Sequence, residues 1–427
     1  MYYPYLDLIK IRETKYIKMK KILLSASVLM MLSATGQVND QVSVQTGYTN
    51  QSYYNLENGE VSNISNQDWD LAFDASAFGS SIRINGANSV ELYVTPYSLT
   101  DWATIDTTGM GSWTQSFDSD LSWSMGAFNA DFDLNNPSDL GWGTYNSITH
   151  FVIGSKTFVI KLSNGSIKKV LIEQLGAGDY TFKYSNLNNT NEITEVITKT
   201  DYSGKNFVYY DIATATEIDR EPLSEEWDIL FGKYITEIYP GATYGVTGVL
   251  LNNGILAYKD ASVETLDATI NTTATYSDEI NTIGYNWKSF NMGTFSYDLD
   301  DSATYFIQTL EGDVWKLGFT SFGGSTSGNI EFTKEKVAAL GVYTNSEITI
   351  TTYPNPVINS FNIKSDVTGE ASIILQSMTG KQAINENVEF TNSPIEYNVN
   401  TYNSGIYILT IRYKNGKTIT QKIIINK

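Results

Sequence analysis

The clearest alternation along the chain is the run Trp69-Asp70-Leu71-Ala72-Phe73. Large apolar side chains there alternate with polar or small ones at the period of two expected of a strand. On that period Trp69, Leu71 and Phe73 share one face, and Asp70 and Ala72 the other. The run predicts a buried strand with a core tryptophan. It returns as Trp227-Asp228-Ile229-Leu230-Phe231, displaced by 227 − 69 = 158. Its surroundings return with it. Val42, Thr46 and Tyr48 reappear as Val196, Thr200 and Tyr202, and Tyr53-Tyr54 as Tyr209-Tyr210. The apolar run at 157–160 corresponds to 304–307. Gly165, Lys169 and Ile172 correspond to Gly312, Lys316 and Phe319, and Gly178 and Phe182 to Gly328 and Phe332. The offset drifts only from 158 to 312 − 165 = 147, which predicts a tandem repeat with small loop deletions.

The pattern divides the chain in order. Residues 1–18 fit no mature element and read as an upstream over-call, with Met19 as the start. Lys20 and Lys21 open a charged segment, 22–32 is an apolar run, and Ala34-Thr35-Gly36 is a small-x-small cleavage site, so 19–36 reads as a signal peptide. The run is too short for a membrane span, and no later segment is long and apolar enough for one. A first β-rich unit is expected at 37–194 and a homologous second at 195–337. Asn85-Gly86, Asn164-Gly165 and Glu311-Gly312 are read as turns between strands. Residues 338–348 read as a linker. From 349 to 427 short strands resume, with Tyr407, Leu409, Ile411 and Tyr413 alternating with Ile408, Thr410 and Arg412, and Asn415-Gly416 as a hairpin loop. The fold class is all-β: two tandem homologous domains followed by a small β-sandwich.

Composition narrows the chemistry. In 427 residues there is no cysteine, which excludes disulfides, thiolate metal sites and cysteine nucleophiles. The single histidine, His150, excludes any site needing two imidazoles from one chain. A formal net charge of −19 argues against nucleic acid as a partner. Asp131-Phe132-Asp133-Leu134-Asn135 places an oxygen ligand at every second position, but lacks the glycine and late glutamate of a calcium loop. It reads as a strand with a solvated face. Asp70 and Asp228 repeat, as a carboxylate pair for glycan hydrolysis would, yet their place beside a tryptophan suits a structural hydrogen bond better. No nucleophile elbow or phosphate-binding glycine loop occurs. Trp102, Trp113, Trp123 and Trp142 in the loose middle of the first unit read first as core, with stacking on sugars as the alternative for any that are exposed.

The C-terminal segment carries an ordered set of motifs. Tyr353-Pro354-Asn355-Pro356-Val357 is followed by Phe361-Asn362-Ile363, Met378-Thr379-Gly380-Lys381, Ser404-Gly405-Ile406-Tyr407 and a terminal stretch ending in Lys427. Together these resemble the type A C-terminal sorting domain of the type IX secretion system of Bacteroidetes. That resemblance implies an Ig-like sandwich read by the type IX machinery, passage through the periplasm, and release or attachment to surface lipopolysaccharide. The passenger resembles the HmuY-like proteins through the Trp-Asp-Leu/Ile-x-Phe strand, Ser81-Ile82-Arg83-Ile84-Asn85, and the later hairpin leading to a Gly-x-x-x-Phe strand. That resemblance implies a β-rich scaffold gripping one haem through paired axial ligands, commonly two histidines. Here only His150 is present, with Met110 and Met125 as candidate second ligands and Met292 in the matching part of unit 2. The expectation is an exported, non-catalytic ligand-binding or surface-interaction passenger with no required cofactor. A carboxylate-dependent glycan hydrolase and a haem binder stand as alternatives. The marker residues are Trp69, Asp70, Phe73, Trp227, Asp228 and Phe231 for the repeat. For sorting they are Tyr353, Pro354, Asn355, Pro356, Gly380, Gly405, Tyr407 and Lys427.

Overall fold

The computed structural model describes residues 36–265, 267–271, 273–338, 349–378, 381–391, 393–413 and 418–426. Residues 1–18, the expected leader up to residue 35, most of the linker, the Asn415-Gly416 loop, Gly380 and Lys427 lie outside the described residues. Three strands open the chain: β1 (Val38–Ser43), β2 (Asn50–Asn55) and β3 (Gly59–Ser65). Next come β4 (Leu71–Asp74), β5 (Ile82–Ile84), β6 (Glu91–Val94), β7 (Gln115–Ser116), β8 (Gly143–Tyr145) and β9 (Val152–Gly154). They lead to β10 (Phe158–Lys161), β11 (Ile167–Gly176), β12 (Asp179–Asn186), β13 (Ile193–Thr198), β14 (Phe207–Asp211) and β15 (Thr216–Ile218). The second half holds β16 (Ile229–Tyr239), β17 (Ala242–Leu251), β18 (Leu256–Asp260), β19 (Lys288–Asn291) and β20 (Ser296–Leu299). It closes with β21 (Thr304–Gln308), β22 (Val314–Phe322) and β23 (Asn329–Ala338). The C-terminal part contains β24 (Ile350–Tyr353), β25 (Ser360–Ser365), β26 (Gly369–Ser377), β27 (Gln382–Phe390), β28 (Ile395–Asn398), β29 (Gly405–Tyr413) and β30 (Thr418–Ile425).

The sheets cross the expected boundary at 194/195. One body is continuous in sequence, from about residue 66 to 218. Its sheets run β15-β14-β4-β5 and β13-β12-β11-β10-β6-β7, with β8 and β9 attached to β11, and its core joins Leu71 and Phe73 to Val208, Tyr210 and Ile212. The other body contains 227–338 and the opening segment 38–65. Its sheets run β1-β23-β22-β21-β18 and β17-β16-β2-β3, around Val42, Tyr54, Ile229, Phe231 and Trp287. The strand carrying the first Trp-Asp motif therefore pairs with β14 and the strand carrying the second pairs with β2. Both pairs keep the same register, Leu71 opposite Tyr210 and Ile229 opposite Tyr54.

Chain length dictates this exchange. β16 and β3 both run antiparallel to β2, so they are parallel to each other. For β4 to take the place of β16, the connection from β3 would have to return along a full strand, which needs roughly a dozen residues or more. Residues 66–70 are too few, so β4 moves on to a new body and β16 closes the old one.

Local details correct the sequence reading. β4 begins only at Leu71, and Asp70 before it bonds to the neighbouring strand β14, its N–H donating to the Tyr210 carbonyl and its carboxylate accepting the Ile212 N–H. Trp69 consequently leaves the face of Leu71 and Phe73 and packs with Ala72, Phe207 and Tyr209. Trp227 likewise leaves Ile229 and Phe231 and packs with Tyr53 and Leu230. The correspondence of Val42 with Val196 slips by one. Val42 pairs with Ile330, but Ile197, fully buried, pairs with Tyr180, whereas Val196 is 50% exposed. A one-residue slip turns a strand side chain to the other face. Residues 131–135 form a bend and a turn, not a strand, with Asp133 accepting the Asn135 N–H at 2.9 Å and Asp131 paired with Lys156. Asn85-Gly86 opens a 3₁₀ turn capped by the Asn85 side chain, not a two-residue hairpin.

The C-terminal sheets, β24-β25-β28 and β27-β26-β29-β30, pack Phe361 and Ile363 with Ile373, Leu375, Leu409, Ile411 and Ile423. This is the expected Ig-like sandwich. Its Tyr353–Pro356 motif ties down the last strand. Asn355 donates to the Lys422 carbonyl at 2.6 Å and accepts the Ile424 N–H at 2.8 Å, which an apolar side chain could not do. Tyr407 donates to the Asn403 carbonyl at 3.1 Å, and Gly405 starts β29 at φ 157.

Candidate functional site: an aromatic cavity between the two bodies

The displaced tryptophans meet. Between the β14–β4 sheet of one body and the β2–β16 sheet of the other lies a cavity of about 80 Å³, lined by Tyr53, Trp69, Trp123, Tyr209, Trp227 and Leu230 among others. Trp69 stands edge-on to Tyr209 and Trp227 edge-on to Tyr53, each with ring centroids 5.0 Å apart. The two tyrosine hydroxyls approach to 3.4 Å. Trp123, from the loop after β7, packs on both halves and donates its indole N–H to the Leu251 carbonyl at 2.9 Å.

The same hydrogen bonds build both walls. Asp70 accepts the Ile212 N–H at 3.0 Å, and Asp228 the Leu56 N–H at 2.7 Å. Asn85 donates to the carbonyls of Asn66 and Trp69, and Asn252 to those of Ser224 and Trp227. The repeated aspartates are thus buried ties between neighbouring antiparallel strands. Burial pushes the Asp70 carboxyl up to about 6 and that of Asp228 up to about 7, with the backbone donors pulling the other way. They are not a facing pair in a sugar cleft.

Charged groups on the wall have partners of their own. Arg83 donates to the carbonyls of Ser119 and Ser122, stacks on Trp123 and lies 3.8 Å from Asp118. Asp118 accepts the Ala127 N–H at 2.8 Å; burial raises its pKa, against the pull of Arg83. Asp120 accepts from Thr236 and Asn281. Glu221 accepts from the Phe207 N–H and the Tyr209 hydroxyl, and burial pushes it up to about 7. Arg220 reaches Gln51 and the Ser65 carbonyl, joining the bodies beside Trp69 and Tyr209.

The sequence-predicted ligand residues lie elsewhere. His150 is exposed on the turn before β9, its Nδ1 2.6 Å from the Tyr145 hydroxyl. Met110 begins a 3₁₀ turn, Met125 sits in the loop before Ala127, and Met292 is exposed at the β19–β20 turn. None of them lines the cavity. Among the described residues no group of His, Asp and Glu is arranged to hold a metal ion. Of the loop tryptophans, Trp142 is core and Trp102 lies under Lys169 and Lys183, while Trp113 stands edge-on to Tyr97. Only Trp123 reaches the cavity. Sequence reasoning missed Tyr53, Tyr209, Glu221 and Tyr234 as site residues. The recurrence of Tyr53-Tyr54 was the signal for the first two.

An all-β passenger followed by a terminal sandwich defines the class: a β-rich protein carrying its own sorting module. Residues 351–426 match the secretion system C-terminal sorting domain family, and residues 47–185 match the HmuY protein family. The sorting tail directs the chain, through the type IX machinery, to the cell surface or the medium. The HmuY match starts within the segment that packs into the second body and ends in β12. No curated protein sequence matches the chain. Among solved structures, the dimeric latent PorU from Porphyromonas gingivalis is 12% identical, with a TM-score of 0.16. The alignment covers 65% of this chain and 31% of that one, so the chain spans under a third of that relative's length. Among the described residues no helix is long and apolar enough to cross a membrane.

Proposed function

We propose that this type IX cargo carries a non-catalytic passenger that holds a small ligand in the cavity between its two bodies. The observation that carries the reading is the convergence of Trp69, Trp123 and Trp227 with Tyr53 and Tyr209 on one cavity built from both halves. Aromatic walls with a few placed polar groups are the ordinary make-up of a ligand site. Catalysis is disfavoured because Asp118, Asp120 and Glu221 are each taken up by donors of the chain itself. The homology of the two units belongs to the same proposal, supported by the shared register and the paired aspartate and asparagine bonds. A ligand screen by thermal shift on residues 37–427 tests it. Stabilising compounds should lose their effect in Trp123→Ala, with the apo melting temperature shifted by only a few degrees. Hits that survive that substitution would count against the cavity.

The HmuY match favours a second reading, haem capture. The cavity residues do not fit a haem: about 80 Å³ is small for a porphyrin, and neither His150 nor a methionine lines the wall. Any uptake would rest on exposed His150, with Met110 or Met125 brought to it. A Soret band at one equivalent that disappears in His150→Ala would support haem capture over the cavity reading.

A further inference from the structure

A second, larger space lies beneath the sorting sandwich. It is a cleft of about 540 Å³, walled by both bodies of the passenger and by β26, β29 and β30. Leu409, Ile411 and Tyr413 fill the core of the sandwich, so Thr410 and Arg412 between them face outward. Two buried side-chain atoms that line the cleft have no hydrogen-bond partner, Nε of Arg412 and Oγ1 of Thr418. These two residues stand directly opposite each other on the β29–β30 ladder, which places their side chains on one face with Cβ atoms about 5 Å apart. Thr410 and Thr420, the next pair on that face, line the cleft as well. Among the described residues the Arg412 guanidinium has no ion-pair partner. Burial lowers its pKa, opposed only by Asp278, an exposed carboxylate on the passenger side of the cleft. The other acid on the wall, Asp74, is buried, accepts the Ser76 N–H at 2.8 Å and has Lys199 as its charge partner.

A guanidinium drawn out of water without a partner is costly. Its N–H groups only donate, so whatever relieves that cost must accept, and a cation cannot. The planar fork matches a pair of negatively charged oxygens better than a single neutral one. We infer that the cleft is a second binding site, one for an oxyanion, a carboxylate or phosphate group held by the Arg412 guanidinium and the Thr418 hydroxyl. The site stands independently of the aromatic cavity, although Trp123, Asn206 and Phe207 line both spaces. The cleft has room for more than the anionic group. Neutral side chains such as Ser122, Asn252 and Gln376 offer hydrogen bonds to the rest of a ligand. Asp278 works against the anion and limits its affinity.

The test is calorimetric titration of residues 37–427 at constant ionic strength with inorganic phosphate, with succinate and with uncharged succinamide. Phosphate or succinate is expected to bind saturably and succinamide is not, and the tighter of the two anions identifies the kind of oxyanion the site takes. Arg412→Gln should weaken that anion about tenfold or more, the scale of one charge-assisted contact. Thr418→Val, which keeps the shape and removes the hydroxyl, should weaken it about threefold. Asp278→Asn should tighten it severalfold, because it removes the opposing charge. Each variant should melt within a few degrees of wild type. No saturable binding of either anion up to about 10 mM would overturn the site. So would equal binding of succinamide, or an affinity unchanged in both Arg412→Gln and Thr418→Val. Weaker binding in Asp278→Asn would overturn it too, since that carboxylate would then be helping to hold the ligand.

Discussion

At the scale of single residues, burial and hydrogen bonding decide between structural and chemical roles. Asp228 is buried, accepts one backbone N–H, and holds its proton up to about pH 7, against roughly 4 for an unfolded aspartate. Between those values the native state binds more protons than the unfolded state, so stability falls as pH rises through the window. Below about pH 4 both states are protonated and this destabilising contribution vanishes; above about pH 7 it is fully present. Asp70 and Glu221 act in the same direction. Asp228→Asn keeps an acceptor for Leu56 and removes one titrating group. The difference in urea midpoint between pH 5 and pH 7 should shrink in that variant, and an unchanged difference would contradict the assignment. Trp227→Ala empties a buried aromatic position and should cost about 3–5 kcal/mol in urea unfolding. A loss below about 1 kcal/mol would show that the ring is not held by the core.

At the scale of elements, the exchange of strands sets the folding units. Residues 66–218 contain every strand of the first body and its whole core, whereas 37–194 lacks β14 and β15 and carries β1 without β23 and the β2–β3 pair without β16. The 66–218 fragment should therefore unfold cooperatively, with dispersed amide resonances. The 37–194 fragment should be aggregated or only partly folded, because it exposes unpaired edges. The reverse outcome would refute the exchanged pairing. The strands, the hairpins at 157–172 and 304–319 and the terminal sandwich were legible from alternation and turn residues. The partner of each repeated strand was not, because β2 and β14 present the same side chains to β4 and β16. The shortness of 66–70 was the available clue, since a tight connection cannot bridge parallel strands. The face of Trp69 and Trp227 was misjudged for a related reason. Strand period holds only within a regular strand, and the strands begin at Leu71 and Ile229, after each tryptophan. The cavity was hidden by the same error, since it forms only where strands from distant parts of the chain meet.

At the scale of the whole molecule, a sorting module and the passenger proposed above to hold a ligand are joined in one chain. The sandwich at 350–426 is the module the type IX machinery reads, and its Asn355 tie to β30 explains why a Pro-Asn-Pro motif at one end needs the last strand at the other. Deleting 349–427 should leave the passenger in the periplasm of its host, seen by fractionation and immunoblotting; normal amounts at the surface or in the medium would contradict this. The central claim is that the ligand site lies between the two bodies. Hydrogen–deuterium exchange of residues 37–427, with and without the best binder from the thermal-shift screen with haem included, tests it most directly. Protection is expected to rise together in β2, β14 and the first half of β16, which come from both bodies. Protection confined to the turn around His150, or to one body alone, would contradict a shared cavity as the site.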